Sequence, residues 1–109
     1  MKYPENAGYI IAIDSGATKS EVLLYPVYES GKDKIRLYKF PFINLNLLGY
    51  DESLKRLKKI VKEVSGVVGK KNITAVAAGI SGARYEKDRK RLAAALSKAT
   101  GIKKVFVLP

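Results

Sequence analysis

A chain of 109 residues makes one domain with one modest core, and cannot by itself hold a two-lobed enzyme with an interdomain active site. Apolar residues make up 47% and charged residues 28%, an ordinary globular composition and not a disordered one. Lys and Arg number 21 against 10 Asp and Glu, a net charge of +11, and the absence of Cys and His excludes disulfides, thiol or imidazole catalysis and cysteine-ligated metal centres within these residues.

No stretch approaches the roughly 20 apolar residues of a membrane helix. The N-terminal MKYPENAGY lacks the apolar core of a signal peptide. A soluble, cytoplasmic protein without membrane contact is expected. The charge has two readings, nucleic-acid binding through counterion release or a solvated, lysine-rich surface. The basic residues are spread over most segments, with no Arg-rich block interleaved with aromatics, so the solvated surface is favoured and nucleic acid is not the expected partner.

Gly8 to Asp14 (GYIIAID) is a continuous apolar run and predicts a strand buried on both faces. The polar segment Asp14 to Ser20 (DSGATKS) turns it into a second strand, Glu21 to about Tyr28, where Pro26 marks a bulge or an unpaired far end. Ser30 to Lys34 is turn chemistry, and a third strand runs through Ile35 to Phe40. Tyr25, Tyr28, Tyr38, Phe40 and Phe42 are expected to pack on the sheet and not to stack on bases.

Asp51 is the expected N-cap of a helix through about Val64, with Leu54, Leu57, Ile60, Val61 and Val64 at helical spacing and the intervening lysines on the solvated side. Ile73 to Ile80 (ITAVAAGI) reads as a fourth strand. A second helix follows from about Arg84 to Ala99, burying Tyr85, Leu92, Ala95, Leu96 and Ala99 and stopping at Gly101. Lys104 to Leu108 is the fifth strand.

The order βββαβαβ is an α/β fold. A meander of the first three strands, followed by two right-handed crossovers, gives a mixed five-stranded sheet of order 3-2-1-4-5 with both helices on one face. The other face is then bare although several strands are apolar on both sides. A second lobe or self-association is expected to cover it.

Asp14-Ser15-Gly16-Ala17-Thr18-Lys19-Ser20 concentrates small residues, a carboxylate, hydroxyls and a lysine in one tight turn. Small side chains let a ligand approach the backbone, and successive N–H groups can form an anion-binding concavity. The Thr18 hydroxyl and Lys19 ammonium suit a phosphate. Asp14 repels bare phosphate and makes sense with Mg2+ between them. A plain hairpin turn is the alternative.

IAIDSGATKSEVLLY resembles the first phosphate-binding hairpin of the actin, heat-shock ATPase and sugar-kinase superfamily, and is most similar to its N-acetylglucosamine kinase and BadF/BadG/BcrA/BcrD ATPase branch. Asn44 followed by Gly49 resembles an Asn-x4-Gly element of that branch, and Ala78-Gly79-Ile80-Ser81-Gly82 resembles its turn after the fourth strand. The resemblance implies an RNase H-like (actin-like ATPase) domain and a cytoplasmic kinase for an amino sugar or related hexose, using ATP and Mg2+. It implies that Asp14 holds Mg2+ through water and that Ser15, Gly16, Ala17, Thr18 and Lys19 lie along the β- and γ-phosphates. It further implies that Asn44 bonds a substrate hydroxyl and that Ser81 and Gly82 line the cleft. Ser15 and Ala17 replace glycines of the commonest pattern, and Ala17 adopts a positive φ only at a cost.

The branch's catalytic Asp follows the fifth strand, so it is expected just after Pro109. None of the ten acidic residues takes its place. Residues 1–109 are then expected to be an N-terminal lobe, truncated before that Asp, lacking the second lobe and inactive alone. A dehydratase-activating ATPase of the BadF/BadG type is the alternative enzyme. A basic nucleic-acid-binding domain or a dimerising adaptor is the alternative of another class, and a nuclease is not expected because only Asp14 lies on a central strand.

Overall fold

The computed structural model describes residues 8–27 and 35–109. Tyr28 and the turn at Ser30 to Lys34 lie outside the described residues. The elements are β1 (Tyr9–Ser15), β2 (Lys19–Pro26), β3 (Arg36–Pro41), α1 (Leu45–Val68), a 3-10 turn (Lys70–Asn72), β4 (Ile73–Ile80), α2 (Glu86–Thr100) and β5 (Lys104–Leu108). The sheet has the order β3-β2-β1-β4-β5, antiparallel from β3 to β1 and parallel from β1 to β5, as the crossover rule requires.

Both helices cover one face. Ile11 and Ile13 of β1, Val22 and Leu24 of β2, Val76, Ala78 and Ile80 of β4 and Val107 of β5 point into the core. They meet Leu57, Ile60, Val61 and Val64 of α1 and Leu92 and Leu96 of α2. Burying each large aliphatic side chain contributes about 1.5–3 kcal/mol.

The second face is open. The paired positions Leu37, Leu23, Ala12, Ala77 and Phe106 form a row across all five strands. Leu37 and Phe106 are more than half exposed, at 53% and 54%, with Leu108 and Tyr25 nearly as open. Alternation places these side chains opposite the helices, and nothing within the described residues covers them. The inward residues of β3 are Tyr38 and Phe40, so its aromatics serve the core while Leu37 faces out.

Several boundaries differ from the sequence reading. β2 pairs with β1 without a bulge as far as Pro26, whereas its pairing with β3 ends at Leu24 opposite Arg36. The proline closes the strand where its missing N–H is not needed. α1 begins at Leu45 and not after Asp51. Asn44 caps a first turn, and Gly49, at φ 80° and ψ 174°, breaks the helix before it continues through Asp51 to Val68. The break leaves the buried Ser53 hydroxyl without a hydrogen-bond partner, because the carbonyl four residues back belongs to the non-helical Gly49.

α2 begins at Glu86, with extended backbone at Tyr85, so Tyr85 is 64% exposed and not buried as the helical spacing suggested. At the other end Thr100 is buried and Ala99 is exposed. Gly101, at φ 78°, is the left-handed stop. Among the described residues no helix is long and apolar enough to cross a membrane.

Candidate functional site

Three turns that carry polar side chains share one end of the sheet. They are the β1–β2 hairpin, the segment between β3 and α1, and the turn between β4 and α2. In the hairpin, the Gly16 amide donates to the Lys19 carbonyl at 2.9 Å, leaving Ala17 and Thr18 at an exposed tip. No non-glycine described residue has a positive φ, so Ala17 fits without strain. A Cβ added at Gly16 would meet nothing closer than the Lys19 carbonyl at 3.7 Å, ordinary contact. The chain itself therefore does not require glycine there, whereas a ligand lying against the backbone would.

Asp14 and Ser15 point to opposite faces. The Asp14 carboxylate is exposed on the open face. Ser15 is 4% exposed on the core side, where its hydroxyl accepts from the Ile43 amide at 2.7 Å and donates to the Ile43 carbonyl. Both capacities of that hydroxyl join β1 to the chain leaving β3, so the Ser15 side chain has no donor left for a phosphate.

The opposite wall is tied to the same point. The Ser81 hydroxyl donates to the Ser15 carbonyl at 2.6 Å, and the Ser81 carbonyl accepts from the Leu45 amide at 2.8 Å. Asn44 and Ser81 form a parallel bridge. The Asn44 Oδ1 accepts from the Asn46 and Leu47 amides at 2.9 and 3.1 Å, capping α1. Its Nδ2 has no partner among the described residues. Gly82, at φ 81°, passes so close that a Cβ there would lie 2.7 Å from the Asn44 Oδ1 and 2.9 Å from the Asn46 nitrogen. Residues 15, 43–46 and 81–82 thus form one hydrogen-bonded junction beside the hairpin tip.

Arg56 braces this junction from α1. Its Nη1 donates to the Phe42 carbonyl at 2.7 Å, its Nε donates to Glu52 at 3.0 Å, and its guanidinium lies 5.2 Å from the Phe42 ring centroid. Arg56→Ala should lower stability by about 1–2 kcal/mol and speed hydrogen exchange at the Ile43 amide. Urea midpoints and amide-exchange rates measure the two effects. An unchanged Ile43 rate would remove the bracing role.

Glu21 was not singled out from the sequence. It pairs directly with Asp14, and Asp14 pairs on its other side with Gly79. The signal was the symmetry of the hairpin, since a turn centred between Ala17 and Thr18 sets position 14 opposite position 21. Two carboxylates facing each other across paired strands repel, and a cation between or above them relieves this. Among the described residues no group of three or more Asp and Glu is placed to hold a metal ion. The hard oxygens of Asp14 and Glu21 fit Mg2+ only with water or phosphate supplying most of its octahedron.

No protein-family model matches this chain, and no curated protein matches its sequence. Among solved structures it is similar to the PPX-GPPA enzyme of Aquifex aeolicus, with a TM-score of 0.56 and 9% identity over 92% of this chain. The fold is the RNase H-like, actin-like ATPase fold. At that identity the likeness is one of fold alone. The chain spans 36% of that enzyme's length. The comparison shows neither the N-acetylglucosamine kinase nor the BadF/BadG/BcrA/BcrD ATPase resemblance.

Proposed function

We propose that these residues form the N-terminal lobe of an ATP-dependent kinase acting on an amino sugar such as N-acetylglucosamine. The observation that carries the reading is the junction of Ser15, Ile43, Asn44, Ser81 and Gly82, which sets Asn44 beside the Asp14–Ser20 hairpin at one end of the sheet. In this reading ATP supplies the phosphoryl group and Mg2+ offsets its charge. Gly16, Ala17 and Thr18 lie along the phosphates and Lys19 adds a compact cation. Asp14 orients the metal's water, and the free Asn44 Nδ2 donates to a sugar hydroxyl.

In this reading the proton acceptor lies in the chain that follows β5. β5 ends with Leu108 paired to Gly79, which is itself paired to Asp14. A carboxylate a few residues beyond Pro109 would emerge on this rim, within reach of a sugar held by Asn44. The open sheet face is the proposed seat of a second lobe or a second copy, and these residues without such a lobe are expected to turn over no ATP.

One observation favours the dehydratase-activating ATPase as a second reading. The Asn44 Oδ1 is committed to the helix cap, which halves what the side chain can offer a sugar. One measurement tests whether these residues are one lobe, and another separates the two readings. The reading frame past codon 109 should continue with an Asp within a few residues. The protein carrying that downstream sequence should hydrolyse ATP faster in the presence of one amino sugar from a panel. ATP turnover indifferent to every sugar would support the second reading over the first.

A further inference from the structure

The end of the sheet opposite the hairpin carries a separate feature. α1 stops at Gly69 (φ 94°) and α2 at Gly101 (φ 78°), and the chain segments that follow lie side by side. Lys70, Lys71, Lys103 and Lys104, with Thr74, rim a depression of about 520 Å³ floored by Ile73 and Ile102. The Lys70 ammonium reaches across to the second helix stop, 3.6 Å from where a Gly101 Cβ would sit. All four lysines are exposed, and none is in an ion pair among the described residues.

The charge is segregated along the strands. Of the seven described carboxylates, Asp14, Glu21, Asp51, Glu52, Glu86 and Asp88 lie on the hairpin or the opening turns of the helices, and only Glu63 lies in the far half. Among the described residues the hairpin end mixes both signs, and the far end is almost wholly positive. Helix C-termini attract cations, but that attraction dies within the last turn, and Lys103 and Lys104 lie beyond the Gly101 stop.

We propose that this depression docks the phosphodiester backbone of a nucleic acid without reading its sequence. Spread, exposed ammonium groups match a repeating polyanion better than one phosphate, which would need converging buried donors. No aromatic side chain lines the depression for stacking on bases, and no exposed apolar side chain lines it for insertion into a membrane. The inference is independent of the kinase reading, because it concerns the other end of the molecule.

The test is fluorescence anisotropy of this chain with a 20-base-pair DNA duplex over a range of salt concentrations. Four phosphate contacts predict a slope of log affinity against log salt near roughly −3.6. Lys70→Gln with Lys103→Gln should flatten that slope by about 2 and weaken binding at least roughly tenfold at low salt. Lys71→Gln with Lys104→Gln should do the same, and either pair suffices if the other fails to fold in a thermal melt. Lys55→Gln with Lys59→Gln on α1 should change neither quantity, and saturating Mg-ATP should not displace the duplex. The proposal is overturned by no salt-sensitive binding, by equal loss in the α1 variant, by displacement with ATP, or by binding to anionic vesicles without binding to duplex.

Discussion

Gly82→Ala should lower the free energy of unfolding by about 3 kcal/mol and the melting temperature by roughly 15 °C. The left-handed backbone at φ 81° costs an alanine about 1–2 kcal/mol. The added Cβ would also sit 2.7 Å from the Asn44 Oδ1 and 2.9 Å from the Asn46 nitrogen. The second atom is backbone and cannot swing aside. If the Asn44 side chain moves instead, the Asn46 and Leu47 amides lose their acceptor, a capping loss of about 1 kcal/mol. A loss of that size is a large part of a typical domain's 5–15 kcal/mol.

Two controls separate close approach from generic glycine effects. Gly66 lies inside α1 with nothing within 4 Å of an added Cβ and no positive φ, so Gly66→Ala should stabilise by about 0.5–1 kcal/mol. Asn44→Gly should cost less in a Gly82→Ala background than alone, because the clash has already removed the cap. Additive losses in urea titrations would mean that Gly82 and Asn44 do not act through each other.

The elements that could be read from the sequence are those whose burial leaves an unambiguous pattern. β4 and β5 begin and end where their apolar runs do, because one face of each packs on the helices, the other carries further apolar side chains, and small or charged residues bound them. The start of α1 was ambiguous because two start signals compete within eight residues. Asn44 and Asp51 are both good caps, and the positive φ of Gly49 lets the chain use the first and resume the helix before the second. Tyr85 falls on the helical stripe only if α2 starts early, and the extended residue at its N-terminus turns the ring outward.

The site was legible residue by residue but not as an assembly. The hairpin announces itself through its small residues. That the Ser15 hydroxyl belongs to Ile43 and its carbonyl to Ser81 depends on contacts spanning 28 and 66 residues, which only the crossover geometry creates. The Ser15 hydroxyl is consumed in building the site, a role indistinguishable in sequence from touching the ligand.

Asp14→Asn should separate function from stability. The carboxylate is exposed on the open face, directly opposite Glu21, and forms no ion pair among the described residues. Removing one of two facing negative charges should leave the melting temperature unchanged or raise stability by a few tenths of a kcal/mol. If Asp14 orders the water shell of Mg2+, Mg2+-dependent ATP affinity should fall by roughly 10- to 100-fold, with Mg2+-independent binding nearly unaffected. Calorimetric titration with and without Mg2+ reads both quantities on the same sample. Glu21→Gln distinguishes two arrangements. An equal loss would mean that the cation is shared across the β1–β2 pair, and an unchanged affinity would assign it to Asp14. A variant that melts lower and still binds Mg-ATP fully would make Asp14 a structural turn residue and remove the hairpin's claim to a metal. Glu21 already has Lys39 of β3 paired on its other side, whereas Asp14 has only Gly79, so the unchanged affinity that assigns the cation to Asp14 is the expected outcome.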